Sequence, residues 1–175
     1  MLWLFTDAAR LGDPVAAVRR LPPGLCGVVL RDDAMPDRKT LGRRLAALCR
    51  ERRLVLSVAG DWRLAAALHA GLHVRGGRRP CGAPRRLPAL TASAHGAADL
   101  LRARRAGAAL VFLSPIFATG SHPGAAVLGP LRWGLAARRG RGAAALGGLD
   151  GQLVRRLPRL LCHGCGAIGA LRGIG

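Results

Sequence analysis

Read by hydrophobicity alone, the chain is a succession of short apolar runs separated by amphipathic stretches. Leu2 to Thr6, Cys26 to Leu30, Leu54 to Val58, Leu72 to Val74, Leu90 to Ala94, Ala109 to Phe117, Gly142 to Leu146 and Ala167 to Leu171 are the strand candidates. They are apolar with little alternation, the pattern of parallel strands covered on both faces. Between them lie helical periods. Asp37 to Arg53 is the clearest, with Leu41, Leu45, Ala46 and Leu48 on one face and Arg43, Arg44, Arg50 and Arg52 largely elsewhere. Asp13-Pro14 opens a helix running to about Leu21, an N-cap followed by proline in the first turn. Asp61 caps a short helix to Ala70. Ala97 to Ala106, Pro130 to Arg138, and Asp150 to Leu161 with a break at Pro158 complete the set. Gly76 to Pro88 has no hydrophobic period and reads as loop.

Strand and helix thus alternate about eight times, which gives either a doubly wound open sheet or a closed barrel. Ligand-type residues follow nearly every strand rather than only the central ones, which favours a compact (β/α)8 TIM barrel with short loops. The length of 175 residues allows one domain over 1–175 and no second core. A full barrel usually needs more chain, so helices and loops must be trimmed.

The formal net charge of +19 invites a nucleic-acid reading. Two features argue against it. Lys39 is the only lysine, and the arginines are spread in pairs over most predicted helices: Arg19-Arg20, Arg43-Arg44, Arg104-Arg105, Arg138-Arg139 and Arg155-Arg156. Aromatics at 3%, with no tyrosine, leave little for base stacking. No specific nucleic-acid partner is expected. No window approaches the ~20 apolar residues of a membrane span, and MLWLFTD lacks the basic lead of a signal peptide. A cytoplasmic protein with no membrane partner is the expectation, its oligomeric state open and a homo-oligomer included.

Five cysteines, an odd number, are expected to be reduced. Cys162-His163-Gly164-Cys165 has CxxC spacing, but no second pair completes a zinc site, and it leads into a strand rather than opening a helix. These read as packing cysteines.

Chemistry concentrates after the late strands. The run from Ala109 breaks into a loop holding Thr119, Ser121 and His122, beyond a strand end where α/β ligand sites collect. GAAALGGLD, from Gly142 to Asp150, and CGAIGALRG, from Cys165 to Gly173, follow as apolar runs ending in glycine. Glycines there let backbone N–H groups approach an anion.

In this order, strand and TxSH loop, strand and Gly-Gly, strand and Ile-Gly-Ala, the sequence resembles the thiamine phosphate synthase and thiazole tautomerase superfamily. LWLFTD is similar to the family's first strand, GVVLRDD to its second, TASAH to its fifth and LVFLSPIFAT to its sixth. SPIFATGSHPG is similar to a signature of proline, two apolar residues and Thr-x-Thr-Lys. The resemblance implies a (β/α)8 barrel that joins an aminopyrimidine, activated as its pyrophosphate ester, to a thiazole phosphate, with Mg2+ aiding pyrophosphate departure.

It also implies roles. Thr119, Ser121, the Gly147-Gly148 turn and the Ile168-Gly169 backbone match positions that hold the thiazole phosphate; Gly169 stands where the family often has serine. Ser93 matches a serine on the pyrimidine side and Arg31 a pyrophosphate-binding arginine. The metal side departs from the family. The Gln and Lys flanking that arginine become Val29 and Asp33, the Asn-Asp pair after strand three becomes Ala59 and Gly60, and the second metal aspartate falls near Arg78. A hard cation wants oxygen ligands, for which Asp61, one position late, or Asp32 and Asp33 are the stand-ins. Arg31, Arg75 and His122 could supply the charge instead. His122 replaces the signature lysine and is the histidine placed for acid, base or phosphate-donor work. His69 and His73 read as helix-end or surface residues, and His95 as bonding its own loop.

Three rival readings remain. They are a non-catalytic thiazole-phosphate binder or regulator of thiamine metabolism, a thiazole tautomerase-like isomerase, and an arginine-rich nucleic-acid-associated protein. The tautomerase's catalytic histidine aligns with Pro115, so His122 or His95 would have to act there.

Overall fold

Eight parallel strands close into a barrel in chain order: β1 (Leu2–Phe5), β2 (Cys26–Leu30), β3 (Val55–Ala59), β4 (Gly71–Val74), β5 (Leu90–Ala94), β6 (Leu110–Leu113), β7 (Ala143–Leu146) and β8 (Gly164–Ala167). The computed structural model describes residues 1–31, 33, 35–84, 89–119, 124, 126–139 and 142–168. Closure is made by β1 against β8, with Leu2 opposite Cys165 and Leu4 opposite Ala167. Among the described residues six α-helices lie outside: α1 (Ala8–Leu11), α2 (Pro14–Arg19), α3 (Arg38–Glu51), α4 (Trp62–Ala67), α5 (Ala97–Arg105) and α6 (Gly129–Ala137). None is long and apolar enough to cross a membrane.

The local signals act as expected at two helix starts. The Asp13 carboxylate accepts from the Val15 N–H at 2.8 Å ahead of Pro14, and Asp61 accepts from the Leu64 N–H at 2.9 Å. The barrel is shortened where β7 joins β8. Instead of the helix expected from Asp150 to Leu161, a single 3-10 turn spans Leu153–Arg156. Leu157 is extended (φ −73°, ψ 143°), as the residue before a proline is driven to be. Two further expectations are corrected. β6 ends at Leu113 rather than Phe117, and β8 begins at Gly164, three residues ahead of Ala167. A short 3-10 turn, Arg75–Gly77, occupies the start of the segment read as loop.

The main core lies between barrel and helices, where Leu4, Val18, Leu45, Val58, Leu72 and Trp133 are buried. Trp133 of α6 also donates its indole N–H to the Leu113 carbonyl at 3.1 Å. A second core fills the barrel itself with Trp3, Phe5, Val29, Ala59, Phe112 and Ala144. Phe112 meets Trp3 and Phe5 edge-on at 5.5 and 4.8 Å, the favourable aromatic geometry. Glycines on neighbouring strands make the room. A Cβ at Gly27 would lie 2.4 Å from the Trp3 ring, and one at Gly166 2.9 Å from Phe5. Aromatic residues on β1 and β6 against Gly27 on β2 and Gly166 on β8 fill so narrow a barrel.

Candidate functional site

The aromatic plug stops below the C-terminal ends of the strands, and above it opens a cavity of about 620 Å³. Its wall has three regions. The floor is formed by Phe5, His73 and Ser93. His73, expected at the surface, is only 3% exposed. Its strand alternates, so that Gly71 and His73 both face the barrel interior. The imidazole Nδ1 lies 2.9 Å from the Thr91 hydroxyl, and the ring stands edge-on to Phe5 at 5.5 Å. Burial, helped by the charges of Arg75 and Arg31, pushes its pKa from 6.5 down to about 3. His73 is therefore a neutral hydrogen-bonding group at working pH.

One side is built from the loops after β6, β7 and β8. Gly147 and Gly148 take φ of +94° and +64°, open to glycine without cost. The segment after β6 docks on this turn: the Ile116 N–H donates to the Leu146 carbonyl at 3.1 Å and the Phe117 N–H to Gly147 at 3.2 Å. Thr119 and Ile168 reach the same cavity. Among the described residues, the Gly148 and Leu149 N–H groups donate to nothing within the protein. Such unpaired donors suit a phosphate. Ser121, His122 and Gly169 lie outside the described residues.

The opposite side is cationic. The Arg31 N–H donates to the Thr6 hydroxyl at 2.9 Å, and its guanidinium to Asp7 at 3.0 Å. Arg10 lies 3.5 Å from the same carboxylate. Arg75, after β4, pairs with Asp33. Arg38, at the start of α3, pairs with Asp33 at 3.1 Å and approaches Asp61 to 4.0 Å. It also donates to the carbonyls of Ala59 at 2.6 Å and Leu30 at 3.4 Å. Arg10, Arg31 and Arg75 line the cavity.

This side was the place for a divalent cation, and its residues do not fit one. Both oxygens of Asp33 are engaged by arginines, and Asp61 spends one on its helix cap and turns the other towards Arg38. Among the described residues no three His, Cys, Asp or Glu side chains converge on a metal position. Asp32 lies outside them.

His95, exposed at the end of β5, sets its Nδ1 3.2 Å from the Ser114 carbonyl and hydroxyl oxygens; its ring bonds the segment after β6 rather than its own loop, while facing the cavity. His69 is exposed past the end of α4. Cys26 and Cys49 are buried, Cys162 and Cys165 half-buried and Cys81 exposed. Two contributors went unseen in the sequence. His73 was signalled only by its alternation with Gly71 in a four-residue strand. Arg38 had no local signal, because its partners come from two separate segments, the end of β2 with its loop and the end of β3 with its loop.

The chain matches the family model described as thiamine monophosphate synthase over residues 4–174. Among solved structures it resembles thiamine phosphate pyrophosphorylase from Pyrococcus furiosus, with TM-score 0.79 and 23% identity over 97% of this chain and 85% of that one. The same enzyme from Bacteroides thetaiotaomicron gives TM-score 0.64 at 17% identity, covering 97% and 83%. A structure described as native KDPGal gives 0.67 at 13%, covering 99% and 84%. At these identities the structural likenesses establish the fold. No curated protein matches the chain.

Proposed function

The chain belongs to the thiamine monophosphate synthase family, and from that premise we propose that it couples an aminopyrimidine pyrophosphate to a thiazole phosphate, forming thiamine phosphate. The supporting observation is a single cavity with a glycine turn and Thr119 on one side and Arg31 and Arg75 on the other. Two phosphorylated substrates need two anion-binding poles separated by a less polar floor, and this wall has that order.

Phosphate oxygens of the thiazole are held by the Gly148 and Leu149 N–H groups, with the Gly147 and Ile168 backbone and the Thr119 side chain around them; Ser121 shares this role by its match to the family signature. Ser93 and neutral His73 lie under the pyrimidine and orient it by hydrogen bonds. The C–O bond between the activated pyrimidine carbon and the pyrophosphate breaks, and its electron pair leaves with the pyrophosphate. Arg31 and Arg75 meet the developing charge. The thiazole nitrogen then closes the C–N bond. His122, which stands where the family signature has lysine, takes over that residue's donor role. The reaction calls for no organic cofactor.

The test is to mix the protein with both substrates and measure thiamine phosphate. Product, lost in Arg31→Ala and Thr119→Ala, is expected. Thiazole-phosphate binding without product would sink the synthase reading and leave a binder or regulator. One observation favours an isomerase as second reading: His95 stands on Ser114 beside Pro115, facing the cavity. Conversion of a thiazole phosphate alone, abolished by His95→Asn, would select it.

A further inference from the structure

We propose that the pyrophosphate end of this barrel meets its ligand with arginines in place of a divalent cation, Arg38 standing as a built-in cation and Arg31 and Arg75 reaching the ligand. The inference rests on reading this wall as a pyrophosphate site and adds how the charge is balanced.

Four oxygens converge on the Arg38 guanidinium: the Leu30 and Ala59 carbonyls that end β2 and β3, and carboxylate oxygens of Asp33 and Asp61. Carbonyls and carboxylates are the ligand set of a hard cation. Here a guanidinium fills their centre, with its side chain only 12% exposed. The position is fixed by covalent tether, so the charge is present whatever the metal concentration.

Arg31 and Arg75 differ from it. Their side chains are 40% and 54% exposed, and both line the cavity. Each rests on one carboxylate, Asp7 or Asp33. A pyrophosphate carries more charge than a carboxylate and accepts the planar guanidinium fork at two oxygens, so it can displace these resting partners. Asp33 would stay on Arg38 as Arg75 swings to the ligand. A Mg2+ brought with the ligand would meet Arg38, Arg31 and Arg75 at close range, so it adds repulsion rather than a bridge.

The experiment is calorimetric titration of the whole protein with inorganic pyrophosphate, in EDTA and in Mg2+. Binding in EDTA that Mg2+ leaves equal or weakens is expected. Arg75→Ala should weaken the EDTA binding by ~10-fold or more, the value of a charged hydrogen-bond pair. Arg38→Gln releases Asp33 and Asp61, and should make binding at least ~10-fold stronger with Mg2+ than without. Should Arg38→Gln not fold, Arg75→Ala and the EDTA comparison decide. Pyrophosphate bound only with Mg2+, or bound in neither buffer, overturns the proposal. So does an Arg38→Gln protein whose pyrophosphate binding Mg2+ does not strengthen. Product formation is scored separately. Coupling with a strict Mg2+ requirement overturns this inference and leaves the synthase reading; metal-free pyrophosphate binding without coupling does the reverse.

Discussion

Replacing Gly148 by alanine should do damage that an ordinary glycine substitution does not, and its size can be worked out. The residue has φ +64°, and a Cβ there would sit 2.2 Å from the Ala118 carbonyl oxygen and 2.8 Å from the Phe117 carbonyl carbon. Both are backbone atoms, so no side chain can rotate away. Ordinary contact begins near 3.4 Å, and the segment must retreat by roughly 1 Å. It is tied by Phe117 N–H to the Gly147 carbonyl at 3.2 Å and by Gly129 N–H to Ile116 at 2.9 Å. The left-handed conformation costs alanine about 1 kcal/mol. A stretched or lost backbone bond adds about 1 kcal/mol more, and residual strain brings the total to about 3 kcal/mol. The control is Gly24→Ala, at φ +77° with nothing within 4 Å of its Cβ, which should lose only the first of these. In urea denaturation the two variants should therefore differ by about 2 kcal/mol, or roughly 4–8 °C in midpoint temperature. The retreat also carries Thr119 away from the phosphate pole. A ~1 Å misplacement can cost ~100-fold in turnover, so Gly148→Ala should lose ~10- to 100-fold in thiazole-phosphate-dependent rate while Gly24→Ala keeps it. Equal stability losses in the two variants, with unchanged activity in Gly148→Ala, would refute the argument that this turn and the loop after β6 form one phosphate grip.

Two further outcomes follow from groups whose titration burial controls. Because the His73 pKa is about 3 when folded against 6.5 free, the unfolded chain gains a proton below pH 6.5 that the native one refuses. Stability should fall as pH drops from about 6.5 towards 3, by roughly 1 kcal/mol per unit, and denaturation of His73→Gln against the parent should show that difference closing; parallel curves would mean that His73 is wet. Burial pushes the Cys49 thiol up to about 11 and raises Cys26 too. Iodoacetamide followed by mass mapping should thus mark exposed Cys81 first and leave Cys26 and Cys49 until denaturant is added, and early labelling of Cys49 would contradict the α3 packing.

The strands were legible because a barrel sheathed in helices buries both faces of each strand, and burial is what an apolar run records. The same cause explains the misplaced ends. Ile116 is fully buried and Phe117 half-buried, yet both lie past the last strand pairing of β6, packed on the β7 turn. Hydrophobicity carried the strand four residues too far because it reports cover, not hydrogen bonds. At β8 the error reverses. Gly164 and Gly166 are paired strand residues whose side chains are missing because Met1, Phe5 and Leu146 occupy the space. A strand selected for smallness emits no apolar signal. The residues proposed as the phosphate pole were readable for a local reason, since Gly-Gly and Thr119 sit in single loops directly after strands. The cationic pole was not. With 28 Lys and Arg in the chain, no arginine stands out by type, and Arg38 is set apart only by the four oxygens that converge on it. Those come from the ends of β2 and β3 and from the loops that follow them, a juxtaposition made by barrel closure and absent from any window of sequence. The metal side consequently reads as eroded residue by residue, because the loss of carboxylates is local information. The compensation proposed above is long-range, and its residues come together only once Asp33, Arg38, Asp61 and Arg75 share one rim.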